Sequence, residues 1–139
     1  MNYPQPLFKP DPMTGMMILA QDFAQRLPVS GQVLTVKAGY HFNGFSIPDA
    51  FVPVTGMYPF KPSLFRSGLI HDGIEQTQYP GWTMEKALAE LKEVMREDGN
   101  SQANIDETDF GLTLGGWKDW KEDGAPDKVK AARKFITIC

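Results

Sequence analysis

The clearest pattern of apolar and polar positions lies in the second half of the chain. Met84, Ala87, Leu88, Leu91, Val94 and Met95 recur at i, i+3, i+4 and i+7, the spacing of one helical face. Thr83 stands where an N-cap belongs, and Gly99-Asn100 supplies a stop. The pattern predicts a helix over about 84–98. A preceding helix is predicted from Ser63, read as its N-cap, to about Thr77, with Leu64, Phe65, Leu69, Ile70 and Ile74 apolar. Gly68 and Gly73 each lower its intrinsic helicity by about 1 kcal/mol against alanine. Glycines so placed permit another backbone to approach closely. A third helix is predicted from about Asp106 to Trp120, carrying Phe110, Leu112, Leu114 and Trp117, against the weakening effect of Gly111, Gly115 and Gly116.

The first third reads differently. Met16 to Ala20 is a short apolar run that reads as a strand and that Phe23 could continue, and Val33-Leu34-Thr35-Val36 is rich in β-branched residues. Tyr40-His41-Phe42 alternates aromatic with polar. Turns at Leu27–Gly31 and Lys37–Gly39 separate these runs and predict a small antiparallel β unit. Before it, Pro4, Pro6, Pro10 and Pro12 remove backbone donors, so residues 1–15 read as an extended arm that Tyr3, Leu7 and Phe8 could anchor. From Asn43 to Ser63 the chain is rich in proline and glycine but also in large apolar residues, the mark of a long loop that packs against something. Residues 121–139 read as a tail, with Lys128, Lys130, Arg133 and Lys134 on a short basic helix. Phe135-Ile136-Thr137-Ile138 follows as an apolar end or a final strand. The expected fold is α+β: the N-terminal β unit, about three helices and the long Pro/Gly-rich loop, with residues 16–120 as a single domain.

Composition narrows the function classes. At 139 residues the chain is long enough to bury a core without disulfide or metal staples. A net charge of -3 gives no electrostatic reason for broad nucleic-acid binding. The single cysteine, Cys139, excludes an internal disulfide. No apolar run approaches the roughly 18 residues that span a bilayer, and Met1-Asn2-Tyr3-Pro4 lacks the charged and apolar regions of a secretory signal.

The residues able to carry chemistry concentrate on the helix before the turn. His71 and Glu75 are four apart, and Asp72 and Glu75 three apart, so all three share neighbouring parts of one surface. A carboxylate-oriented histidine titrating near neutrality is a candidate general base, while Asp72 and Glu75 could hold a cation. Glu85, at the start of the next helix, is the candidate orienting acid. Against these stands the plain alternative of a histidine buried on a backbone carbonyl. Ser46 sits in Gly44-Phe45-Ser46-Ile47-Pro48, where proline replaces the second glycine of a nucleophile elbow, so Ser46 reads as a hydroxyl capping a turn. His41 reads as a packing residue, and Trp117 and Trp120 as core or partner contacts.

Three segments occur in a recognisable order: Val36 to Pro48 with its Ser46-Ile47-Pro48 turn, Ser67 to Asp72 with His71-Asp72, and Ala87 to Met95. Over roughly residues 3–120 they resemble a bacteriophage and prophage family, domain of unknown function family 1353. The resemblance implies a phage origin. The His-Asp helix and the helix after it more loosely resemble phospholipase A2-like domains. That likeness would make His71 the base, Asp72 a calcium ligand and Glu85 the orienting acid. Asn43, Glu75 and Glu85 stand where the patterns have aspartate, tyrosine and aspartate, which weighs against an active enzyme. The expectation is therefore a non-enzymatic virion component, tail or tail-associated, in an oligomeric assembly with other phage proteins. It would be made in the host cytoplasm, with no cofactor required. Docking would run through the arm (Tyr3, Phe8) and the tail (Phe135, Ile136), with Asn43, Ser46 and Pro48 shaping the turn. The alternative is a phage hydrolase acting on lipid or cell wall through the His-Asp pair, with Ca2+ in the phospholipase-like case. A third option is a phage accessory protein outside the virion.

Overall fold

The computed structural model describes residues 3–42 and 62–139, arranged as an α+β structure. The predicted loop from Asn43, including Ser46 and Pro48, lies outside the described residues. Among the described residues six strands form two three-stranded antiparallel sheets. In the first, β1 (Phe8–Pro10) pairs with β2 (Met17–Leu19), and β2 pairs with β5 (His41–Phe42). In the second, β4 (Val33–Val36) is central, between β3 (Phe23–Arg26) and β6 (Ile136–Ile138).

Both predicted docking segments are thus built into the sheets. Phe8 pairs in register with Leu19, and its ring stacks on Phe42 at 5.1 Å and meets Phe65 edge-on at 5.5 Å. Ile136 is fully buried opposite Val36, and the Phe135 ring packs edge-on against Tyr40 at 6.3 Å. Proline is tolerated in β1 because that strand is an edge, where an absent N–H breaks no ladder.

Four α-helices are present among the described residues: α1 (Phe65–Thr77), α2 (Met84–Glu97), α3 (Gln102–Asp123) and α4 (Pro126–Ala132). Ser63 does not cap α1. It lies in a 3-10 turn, Pro62–Leu64, and its hydroxyl bonds Asn100 Oδ1 at 3.4 Å. Thr83 does cap α2, its Oγ1 accepting from the Lys86 N–H at 3.2 Å. The third helix is longer than its apolar pattern indicates, because Ser101 caps it early through Asn104 N–H and Gly124 follows its end.

Helix α1 is the centre of the molecule and is buried nearly all round. Leu69, Ile70 and Ile74 are fully inaccessible, and each such side chain contributes about 1.5–3 kcal/mol by leaving water. Gly73 lets the helix lie against the second sheet: a Cβ there would stand 3.2 Å from Leu34 Cδ1 and 3.6 Å from Ile136 Cγ2. The helix ends where Gln78 turns left-handed at φ 39°. Its last carbonyls are met by the basic tail, since Arg133 Nε donates to Thr77 O at 3.0 Å and Nη2 to Gln78 O at 3.2 Å. The same guanidinium lies 4.5 Å over the Tyr79 ring. Arg133 thereby both supports the helix C-terminus and holds α4 to the core.

Candidate metal centre

A helix sheathed in this way presents few side chains to water. The exception is the last two turns of α1, where His71, Asp72 and Glu75 converge. One ligand atom from each lies within 4.8 Å of the others. His71 and Asp72 are mostly buried, and His71 Nδ1 stands 3.9 Å from Asp72 Oδ1, too long for a direct hydrogen bond and at the outer edge of ion-pair reach. The three residues line a small cavity closed by Met84 and Leu88 of α2 and by Leu112, Gly116 and Asp119 of α3. It offers about 20 Å³, room for one water molecule or one ion.

Gly116 faces Met84 at this wall, where α3 approaches α2: a Cβ there would lie 2.8 Å from Met84 Sδ and would push that flexible thioether aside. That close approach also brings the end of α3, with Asp119 and Asp123, towards α1. The carboxyl of Asp123 hydrogen-bonds with Glu75.

Electrostatics at this point are unbalanced. Burial pushes the Glu75 carboxyl up to about 7; His71 opposes the shift, while Asp72, Asp123 and Asp119 add to it. Asp72 is raised by burial despite the restraining effect of His71. Asp123 is raised by burial, with Lys128 and the bond to Glu75 working against the rise. For His71 burial acts downward, yet the Asp72 and Glu75 carboxylates outweigh it and the imidazole is raised. Four carboxylates surround one histidine, so the cluster favours any added positive charge, whether proton or cation.

The sequence reading weighed against an enzyme, and the assembled cluster corrects it. His71, Asp72 and Glu75 form a three-residue group able to coordinate a metal, with geometry suited to a catalytic centre. The residue at the tyrosine position of the phospholipase-like pattern, Glu75, is a member of the cluster. Glu85 is not brought to it: it is exposed in the first turn of α2, whereas its neighbour Met84 turns inward to the cavity. Tyr3 lies elsewhere, with Arg66 held 4.6 Å above its ring. Asp119, Asp123 and Gly116 were not legible as site residues, because only the crossing of α3 over α1 and α2 assembles them.

Comparison with family models, with curated proteins and with solved structures gives no match. No described helix is long and apolar enough to cross a membrane.

Proposed function

We propose that the protein is a hydrolase whose centre is a divalent cation held by His71, Asp72 and Glu75. The observation that carries this is the convergence of those three donors around a cavity with room for one ion. The donor set, one imidazole nitrogen with carboxylate oxygens, suits Zn2+ or Mn2+ better than Ca2+, which takes six to eight oxygens. A cation of this kind, when bound, polarises a substrate oxygen and makes water a nucleophile near neutral pH.

The chain's own groups have defined tasks. Asp72 and Glu75 supply negative charge, and the cluster's raised carboxyl affinities for protons mean that cation binding displaces a proton from Glu75. Asp123, beside Glu75 and outside the ligand set, adds to the negative field that favours a cation. Met84, Leu88 and Leu112 keep bulk water from the inner side. The phage resemblance supplies a setting, in which such a hydrolase would act on lipid or cell-wall material.

Calorimetry with Mn2+ and Zn2+, on the full chain and on His71→Ala and Asp72→Asn, tests the reading. One ion per chain is expected, with binding lost in both variants, and metal-dependent cleavage of ester or amide probes. Failure of the full chain to bind either ion, or Asp72→Asn binding as tightly as the parent, rejects it.

A further inference from the structure

Helix α3 has work on two opposite faces. Leu112, Gly116 and Asp119, at i, i+4 and i+7, lie on the side that closes the ion cavity. Phe110, Leu114 and Trp117 repeat the same spacing about half a turn round the helix and face outward, 56%, 71% and 63% exposed. Large apolar residues exposed singly are ordinary, but three within about two turns of one helix make a patch.

The charges on the same face say what covers it. Asp106 and Glu107 lie on it one turn before Phe110, and the exposed Lys118 and Lys121 lie on it just after Trp117. Lys118 reaches Glu122 of its own helix only at 4.0 Å. Over about 24 Å the face therefore runs acidic, apolar, basic. We propose that it joins two copies of the chain as an antiparallel helix pair.

Turned end over end about Leu114, the face is its own complement. Glu107 comes level with Lys121 of the second copy, twice over by symmetry, and Phe110 and Trp117 of the two copies lie within one turn of each other. A two-fold interface requires such a self-complementary patch. A parallel pair would set like charges together, and a partner protein of one sign would be repelled at one end of the face. Amphipathic helices that lie on membranes carry lysine and arginine along their polar face, whereas Asp106, Glu107 and Asp109 crowd the first half of this one. One helix face buries about 1,000 Å2 in total, the small end of specific interfaces, so a micromolar dimer is expected.

This proposal goes beyond the hydrolase reading and uses no metal, so the test is run on the full chain in EDTA. Sedimentation equilibrium from about 1 to 500 μM should show monomer and dimer with a Kd of about 1–100 μM. Leu114→Glu changes an exposed side chain and should weaken the dimer at least about tenfold. Glu107→Lys and Lys121→Glu should each weaken it about fivefold, and the two together in one chain should restore it, because each new lysine then meets a new glutamate of the other copy. A chain that stays monomeric at the highest concentration, a Leu114→Glu dimer as tight as the parent's, or a double swap no better than the single ones would each overturn the antiparallel pair. Phosphatidylcholine vesicles are run in parallel; a monomer that sediments with them would assign the face to a lipid surface and overturn it equally.

Discussion

Helix α1 buries charge at both ends, and the two ends are resolved differently. At the N-terminal end, Arg66 has a fully buried side chain. Its Nε donates to Gln25 Oε1 at 3.0 Å, its Nη1 to Asp98 Oδ1 at 3.1 Å and its Nη2 to Glu97 Oε1 at 2.8 Å. Tyr3 covers the guanidinium, and Gln5 Nε2 donates to the same Asp98 oxygen at 3.0 Å. Both carboxylates bond the one guanidinium directly, and the network fastens the N-terminal segment to the helices. At the C-terminal end, the carboxylates lean on one another around a single histidine. A buried network whose carboxylates bond a cation directly reads as structure; carboxylates crowded around a cavity read as a place for a missing counter-charge.

The sharpest way to break the contrast is to remove the cation from the N-terminal network. Arg66→Met should cost about 3–5 kcal/mol in urea unfolding, because Asp98 is left buried without its cation. If the variant unfolds as readily as the parent, the network is not what secures the N-terminal segment.

The C-terminal end should show its crowded carboxylates as pH dependence. Glu75 has a folded pKa of about 7 against an ordinary value of 4.5, so the folded state holds more protons between those values and stability falls as pH rises through them. His71, also raised, contributes stability below its unfolded pKa that is lost as pH rises through its folded one, the same direction. Glu75 alone sets an upper limit of about 3 kcal/mol for the loss, at 1.36 kcal/mol per unit. Metal-free protein should therefore melt lower at pH 8 than at pH 5, and Glu75→Gln or added Mn2+ should flatten the profile. A melting profile that rises over this range would remove the case for uncompensated carboxylates.

A smaller effect is expected from the support to the cluster. Asp123→Asn keeps the size of the side chain but removes a negative charge beside Glu75, and should lower Mn2+ affinity by about tenfold. The smallest effect belongs to Glu85. Exposed in the first turn of α2, it should leave Mn2+ affinity unchanged and stability within about 0.5 kcal/mol when changed to Gln. A loss of metal binding in Glu85→Gln would bring the orienting acid of the phospholipase-like pattern back into the site.

Local signals carried much of the fold. The apolar spacing of Met84 to Met95 and the Thr83 cap placed α2, and the β-branched run at Val33–Val36 placed the central strand of the second sheet. The short run Phe8–Pro10 gave no strand signal, since its pairing with Leu19, Ile18 and Met17 decides it and proline argues against it. Of the site, His71, Asp72 and Glu75 were visible because i, i+3 and i+4 spacing is set by the helix itself.

What the sequence determined by itself is this donor group, one turn of helix holding an imidazole and two carboxylates on one surface. Tertiary structure decided everything that gives the group meaning. The crossing of α3 over α1 and α2 leaves a one-ion cavity, brings Asp123 beside Glu75 and leaves Glu85 in solvent. The physical reason is range: helical spacing acts over four residues, whereas burial and unbalanced charge depend on which distant elements the core brings together.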